Sequence, residues 1–123
     1  MSLTLDNNTA HYQIRAYQPG LIQINEFILT DSIIITPTRL IQNWQPKHIS
    51  LLTPEDLLPI LDLQPAILLI GTGSTLEFPQ LKIYGDLINK AIGVEIMETG
   101  AACRTFSALT AEGRNVAAAL IVK

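Results

Sequence analysis

The sequence predicts an α/β fold: a three-layer single domain over residues 1–123, with a mixed central β-sheet, an N-terminal antiparallel β part and a C-terminal β-α-β-α-β unit. Three observations lead there. Short segments rich in Ile, Leu and aromatic residues, each closed by turn residues, fill the first half. The second half alternates apolar runs of strand length with helix-length stretches. And 123 residues, 48% of them hydrophobic, suffice for one core but not two. A domain of this size buries roughly two-thirds of the surface of its unfolded chain, so it needs no metal or disulfide staple.

In chain order, Gln13 to Tyr17, Leu21 to Asn25, Phe27 to Leu29 and Ile33 to Thr36 read as strands. Pro19-Gly20 fits a type II turn, in which glycine supplies the positive φ. Leu40, Ile41 and Trp44 form an apolar patch that the pattern does not assign. Thr53 is a good N-cap, Pro54 suits the first helical position, and Leu52 with Leu57 makes a hydrophobic staple. Pro59 then interrupts, so that helix is expected to be short or kinked. Ala66 to Ile70 is a continuous apolar run, as in a strand covered on both faces. Pro79 is expected to open a helix with Leu81, Tyr84, Leu87, Ile88 and Ala91 on its inward stripe and Gly93 as its stop. Val94 to Met97 follows as a strand. Thr99 is expected to cap a second helix with Ala102, Phe106 and Leu109 inward and Gly113 at its end. Val116 to Val122 closes the chain as a strand whose alanines allow close helix approach. Helical crossovers of these lengths join parallel strands with right-handed connections.

Composition excludes several classes. A charged fraction of 15% and a mean hydropathy of +0.30 exclude a disordered chain. Net charge is −3 and the eight Lys and Arg are scattered singly, so no basic stripe tracks nucleic-acid phosphates. The N-terminus carries neither the basic nor the apolar region of a signal peptide. The longest apolar run, Val116 to Val122, falls short of the ~20 residues a spanning helix needs. A cytoplasmic location is expected, with about residues 1–12 as a candidate disordered arm and the Asn7-Asn8-Thr9 sequon as chance. The single cysteine, Cys103, rules out an internal disulfide and Cys-rich zinc patterns, and no other metal-ligand spacing is present. No cofactor or metal is expected.

The candidate site lies where two strand-to-helix loops meet at the carboxyl edge of parallel strands: Gly71, Thr72 and Gly73 from one, Glu98, Thr99, Cys103 and Arg104 from the other. The first loop, GTGS, lacks the P-loop lysine and the third glycine of a dinucleotide fingerprint. It reads as a flexible turn before it reads as a phosphate cradle. Arg104, expected in the first helical turn, opposes the helix dipole unless it binds an anion there with the GTGS amides, or pairs with Glu98. Cys103 reads as a buried core cysteine before a nucleophile, because neither His11 nor His48 is placed near it as a base. Glu95 is either buried in a central strand, which would mark a site, or faces water on an edge strand.

The stretches LLIGTGSTLEFP (Leu68 to Pro79) and GVEIMETGAACRTFSALTAEGRNVAAALI (Gly93 to Ile121) closely resemble a small family built on a domain of unknown function. The family includes bacterial proteins, the mitochondrial NADH dehydrogenase (complex I) assembly factor 3 and a vertebrate adipogenesis-associated protein. The stretch Gly20 to Trp44 fits the same pattern. Gly71, Thr72, Gly73, Phe78, Pro79, Thr99, Ala102, Cys103, Arg104, Gly113 and Arg114 match it, whereas Glu98 replaces an aspartate and Glu26 a glycine. The resemblance implies a three-layer α/β fold and carries over no established catalytic activity. It also implies work through protein partners, as in the assembly factor, without a mitochondrial address for this chain. The leading expectation is therefore a non-enzymatic interaction or complex-assembly module with a protein partner. The alternative is a small-molecule or anion-binding protein, or an enzyme, using the carboxyl-edge loops. A reactive Cys103 is a third, weaker reading. The apolar patch at Leu40, Ile41 and Trp44 makes a homo-oligomer an additional expectation.

Overall fold

Alternation and tight turns build the first part of the chain. In the computed structural model, which describes residues 11–123, β1 (Ile14–Gln18), β2 (Leu21–Ile24) and β3 (Phe27–Leu29) form an antiparallel meander in that order. The sequon and residues 1–10 lie outside the described residues. Of the arm expected over 1–12, Tyr12 is half-buried and its N–H donates to the Pro37 carbonyl at 2.8 Å. Gly20 has φ +91°, as the Pro19-Gly20 turn requires. At the next turn Asn25 alone is left-handed, with φ 51°, so Glu26 serves where a glycine was expected.

The central sheet has five strands in the order β5-β4-β8-β6-β7, comprising β4 (Ile33–Ile35), β5 (Leu40–Ile41), β6 (Ile67–Gly71), β7 (Gly93–Met97) and β8 (Val116–Leu120). β6 runs parallel to β7 and β8, while β4 is antiparallel to both β5 and β8. The sheet is mixed because helical crossovers join β6, β7 and β8 as parallel strands, whereas a short loop joins β4 to β5. All five β8 residues are buried, as their continuous apolar run requires between two covering layers.

Alternate side chains of the sheet feed two cores. Ile34, Leu68, Ile70, Ala117 and Ala119 face one layer, which holds Trp44, a 3-10 turn (Pro54–Leu57), α1 (Leu58–Leu63) and α2 (Leu81–Asn89). Ile33, Ile35, Leu69, Ala118 and Leu120 face the other, where α3 (Thr99–Ala111) and the meander contribute Ala102, Cys103, Phe106, Ile22 and Ile24. This is the expected three-layer α/β architecture.

Several local expectations are corrected. Leu40 and Ile41, left unassigned, form β5, and Trp44 is buried with its indole N–H donating to the Asp56 carbonyl at 2.8 Å. The patch that motivated self-association thus lies largely inside the fold. The helix around Pro59 is short, as expected, with six residues after a four-residue 3-10 turn, but Pro59 does not interrupt it. Thr53 and Asp56 form a capping box on the 3-10 turn, and Pro59 falls in the first turn of α1, where its missing N–H is harmless. In α2 the inward residues are Ile83, Tyr84 and Leu87, whereas Leu81, Ile88 and Ala91 are exposed. The helix begins at Leu81 rather than at Pro79, and it packs on the sheet by the neighbouring stripe of Ile83, Tyr84 and Leu87. Gly93 is the first residue of β7, not the stop of α2. Glu95 projects from β7, an edge strand, and is exposed.

Both long helices end in the same way. The Arg114 N–H donates to the Leu109 carbonyl and the Gly113 N–H to Thr110; the Ile92 N–H donates to Leu87 and the Ala91 N–H to Ile88. The residue after each cap is left-handed, Gly113 at φ +76° and Ala91 at φ +64°. Only the first is a glycine. Gly113→Ala should therefore cost about 1 kcal/mol and Ala91→Gly should gain up to about 1 kcal/mol. Urea denaturation should show the two midpoints moving in opposite directions at constant m-value.

Candidate functional site

The carboxyl ends of β6 and β7 lie side by side, with Gly71 paired to Met97. Parallel pairing thus brings the two loops of the candidate site to one edge. The end of β8 joins them, since the Ile121 N–H donates to the Gly71 carbonyl at 3.0 Å.

Thr99 ties these ends together. Its side-chain hydroxyl is buried, donates to the Ile121 carbonyl at 2.7 Å and accepts from the Gly73 N–H at 2.8 Å, while its own N–H donates to the Gly73 carbonyl at 2.9 Å. Thr99 is the first residue of α3 rather than its cap, which is Glu98, without a side-chain capping bond. Gly71 makes the approach possible. A Cβ there would fall 2.8 Å from the Thr99 hydroxyl oxygen, 2.9 Å from Leu120 Cδ2 and 3.0 Å from Thr99 Cα. Thr72 organises the rest of the loop: its hydroxyl donates to the Thr75 carbonyl at 2.6 Å and accepts from the Glu77 N–H at 3.3 Å.

GTGS is therefore neither a flexible turn nor an open cradle. Gly71, Thr72 and Gly73 are buried, and the amides of Thr72 and Gly73 are already bonded, to the Met97 carbonyl and the Thr99 hydroxyl. Arg104 lies in the second turn of α3, because the helix starts at Thr99, so the expected conflict with the dipole does not arise. The Arg104 guanidinium folds over Gly100, close to the Glu98 carboxylate, yet forms no ion pair with any described residue. Of the seven sequence-predicted residues, the structure leaves only Glu98 and Arg104 exposed.

Cys103 faces the core beside Phe106 and Ala102. Burial pushes its thiol pKa up from 9.0 to about 12, against a smaller lowering by Arg104. Neither histidine serves it as a base: His48 pairs with Glu77 at 3.5 Å, and His11 lies with the far end of α3. Tyr17 packs against the start of α3. Burial raises its pKa, Cys103 and Glu98 add to the rise, and Thr99 opposes it.

What the sequence reading missed is the tip of the first loop. Leu76, Phe78 and Leu81 are 52%, 71% and 63% exposed. Leu76 and Phe78, spaced by Glu77 between a Gly-Thr-Gly turn and Pro79, were the available signal, but helical periodicity assigned Leu81 to the core.

Thr99→Val should cost roughly 2–4 kcal/mol, because it orphans a buried N–H and a buried carbonyl, whereas Thr99→Ser should cost much less. Gly71→Ala should cost about 1–3 kcal/mol through overpacking. Chemical denaturation measures all three. For Cys103 the raised folded pKa means the native state holds its proton more tightly than the unfolded chain. Its contribution is complete below pH 9 and is lost as pH rises towards 12. Cys103→Ala should flatten that part of the stability-pH curve, and native Cys103 should resist alkylation at pH 8 until the chain unfolds.

Comparison with known proteins places this geometry. Over 110 residues the chain is 33% identical to NADH dehydrogenase (ubiquinone) 1 alpha subcomplex assembly factor 3 of Danio rerio, covering 88% of this chain and 63% of that protein. It therefore spans less than two-thirds of that relative's length. It is 28% identical to the 13 kDa major membrane protein of Francisella tularensis subsp. holarctica, across 98% of this chain and 99% of that one. Among the described residues, no helix is long and apolar enough to cross a membrane. A Bordetella parapertussis protein of known crystal structure superposes with a TM-score of 0.88 at 31% identity, covering 95% of this chain and all of that one. Residues 14–121 match the model of a family described as protein of unknown function (DUF498/DUF598), and the chain belongs to that family.

Proposed function

We propose that this protein is a non-enzymatic interaction module that presents the β6–α2 loop to a protein partner and helps to assemble or stabilise a larger complex. One observation carries the reading: Leu76 and Phe78, with Leu81 at the start of α2, are held out to solvent around a loop that Thr72 and Thr99 fasten from beneath. Large exposed apolar side chains on a rigid support suit a docking surface, because little ordering entropy is lost on binding and each apolar anchor leaves water. The His48–Glu77 pair further links this loop to the segment before α1. The name of the Danio rerio relative, an assembly factor, supports the same class of role.

The alternative of a small-molecule or anion site at this edge draws less support, since the Thr72 and Gly73 amides are occupied internally. A reactive Cys103 draws less support still, because its thiol is buried and burial pushes its pKa up.

The test is affinity purification from native lysate with wild type and a Phe78→Glu/Leu81→Glu variant. Both substitutions are on exposed side chains, so folding stability should change by about 0.5 kcal/mol or less at each site. A stoichiometric partner should co-purify with wild type and be lost from the variant. No reproducible partner, or one retained by the variant, would overturn the loop as the docking surface.

A further inference from the structure

We infer that the groove between β1 and α3 binds an acidic, extended peptide segment of a protein partner as an added strand. β1 ends the meander, and among the described residues its outer edge pairs with no strand. α3 lies alongside it. Between them run two connected hollows that share Ile14, Arg15 and Ser107: one of about 370 Å³ towards Gly100, the other of about 660 Å³ towards Gly113. Four successive β1 residues, Ile14 to Tyr17, line the first hollow. The pairing of β1 with β2 shifts between Ile14 and Ala16, and this irregularity brings neighbouring residues of the outermost strand to the hollow together. The 13 residues of α3 give a helix of roughly 20 Å, the span of about six extended residues. An edge strand beside a helix is the geometry in which peptides add to sheets.

Charge selects the occupant. Arg15 on β1, Arg104 on α3 and Arg114 beyond the helix end line the groove, and no carboxylate residue lines either hollow. Glu112 lies 3.9 Å from Arg114 and the Glu98 carboxylate stands near Arg104 over Gly100, whereas Arg15 and Arg104 form no ion pair with a described residue. In a chain of net charge −3 this is a locally cationic surface. A single cation on a strand edge ordinarily keeps that edge unpaired. Here a second cation stands on the opposite wall, so an acidic strand neutralises both while pairing between them. A second copy of this chain would instead bring its own Arg15 into the cationic groove, and like charges at close cross-strand positions are unfavourable. Ile14 and Tyr12, both half-buried, supply an apolar floor for alternate side chains of the added strand. The expected ligand thus alternates acidic and apolar residues.

This surface uses none of the loop-tip residues, and its test is separable from theirs. A labelled heptapeptide alternating Glu with Val or Thr is titrated into the full chain by fluorescence anisotropy, with amide chemical shifts locating the contact. Saturable binding should shift residues 14–17 and weaken about tenfold or more in each of Arg15→Glu and Arg104→Glu, and similarly when alternate peptide nitrogens are methylated. Binding should also weaken as salt rises. Arg15→Gln and Arg104→Gln, which preserve length, should weaken binding less than the reversals while leaving thermal unfolding unchanged. Phe78→Glu/Leu81→Glu should bind as wild type does. No saturable binding, indifference to N-methylation, or the same shifts from inorganic phosphate alone would overturn added-strand recognition. Self-association abolished by Arg15→Glu would assign the groove to a second copy and overturn it equally.

Discussion

The hydroxyl of Thr99 is the contact on which the carboxyl edge of the sheet depends. It bridges the end of β8 to the turn after β6 from the first residue of α3, and so connects two parallel strands and the helix covering them. Both partners are buried backbone groups, whose orphaning is costly without water to replace the lost bond. Gly71 is the steric counterpart: any side chain at that position would occupy the space of the Thr99 side chain and backbone. The pair works as a unit. Neither residue alone explains why two glycines flank Thr72.

That fastening has an outward consequence. Once the Thr72 and Gly73 amides are bonded inside, the following residues have a firm base, and Leu76, Phe78 and Leu81 project into solvent. Rigidity changes the function assigned to the motif. A glycine-rich turn with open amides would read as an anion cradle; the same turn with its amides occupied reads as the support for an apolar surface. The thiol nearby follows the same logic, because desolvation that suits Cys103 to the core removes the thiolate that chemistry would need. The other layer carries a surface of different character, a cationic groove between a strand edge and a helix, in a protein whose overall charge is negative. An apolar tip and a charged groove on one small scaffold suit a protein whose work is contact rather than turnover.

The sequence by itself determined the layer order, the parallel C-terminal unit and the central strands. Leu68 to Ile70 and Val116 to Leu120 are apolar without alternation, and only a strand covered on both faces accommodates such a run. Thr53, Pro54 and Gly113 announced their turns because capping is local chemistry. Placement of Gly71, Thr99 and Arg104 at one edge was also legible, since parallel pairing puts successive strand-to-helix loops on the same side. Tertiary structure decided what those residues do there. Thr99 looked like a cap because a threonine before a helix usually is one; a carbonyl from β8 and an amide from the β6 loop, 22 and 26 residues away, claimed its hydroxyl instead. Leu81 and Ile88 fit a helical stripe, but α2 packs on the core by Ile83, Tyr84 and Leu87 and leaves them outward. β5 is two residues long and owes its strand to pairing with β4, which no local signal of Leu40 and Ile41 could supply. The groove was beyond reach for the same reason, because Arg15 and Arg104 are 89 positions apart and meet only when the meander folds back over α3. Local chemistry fixes where elements begin and end; hydrogen-bond partners and exposed faces are set by what long-range packing leaves beside them.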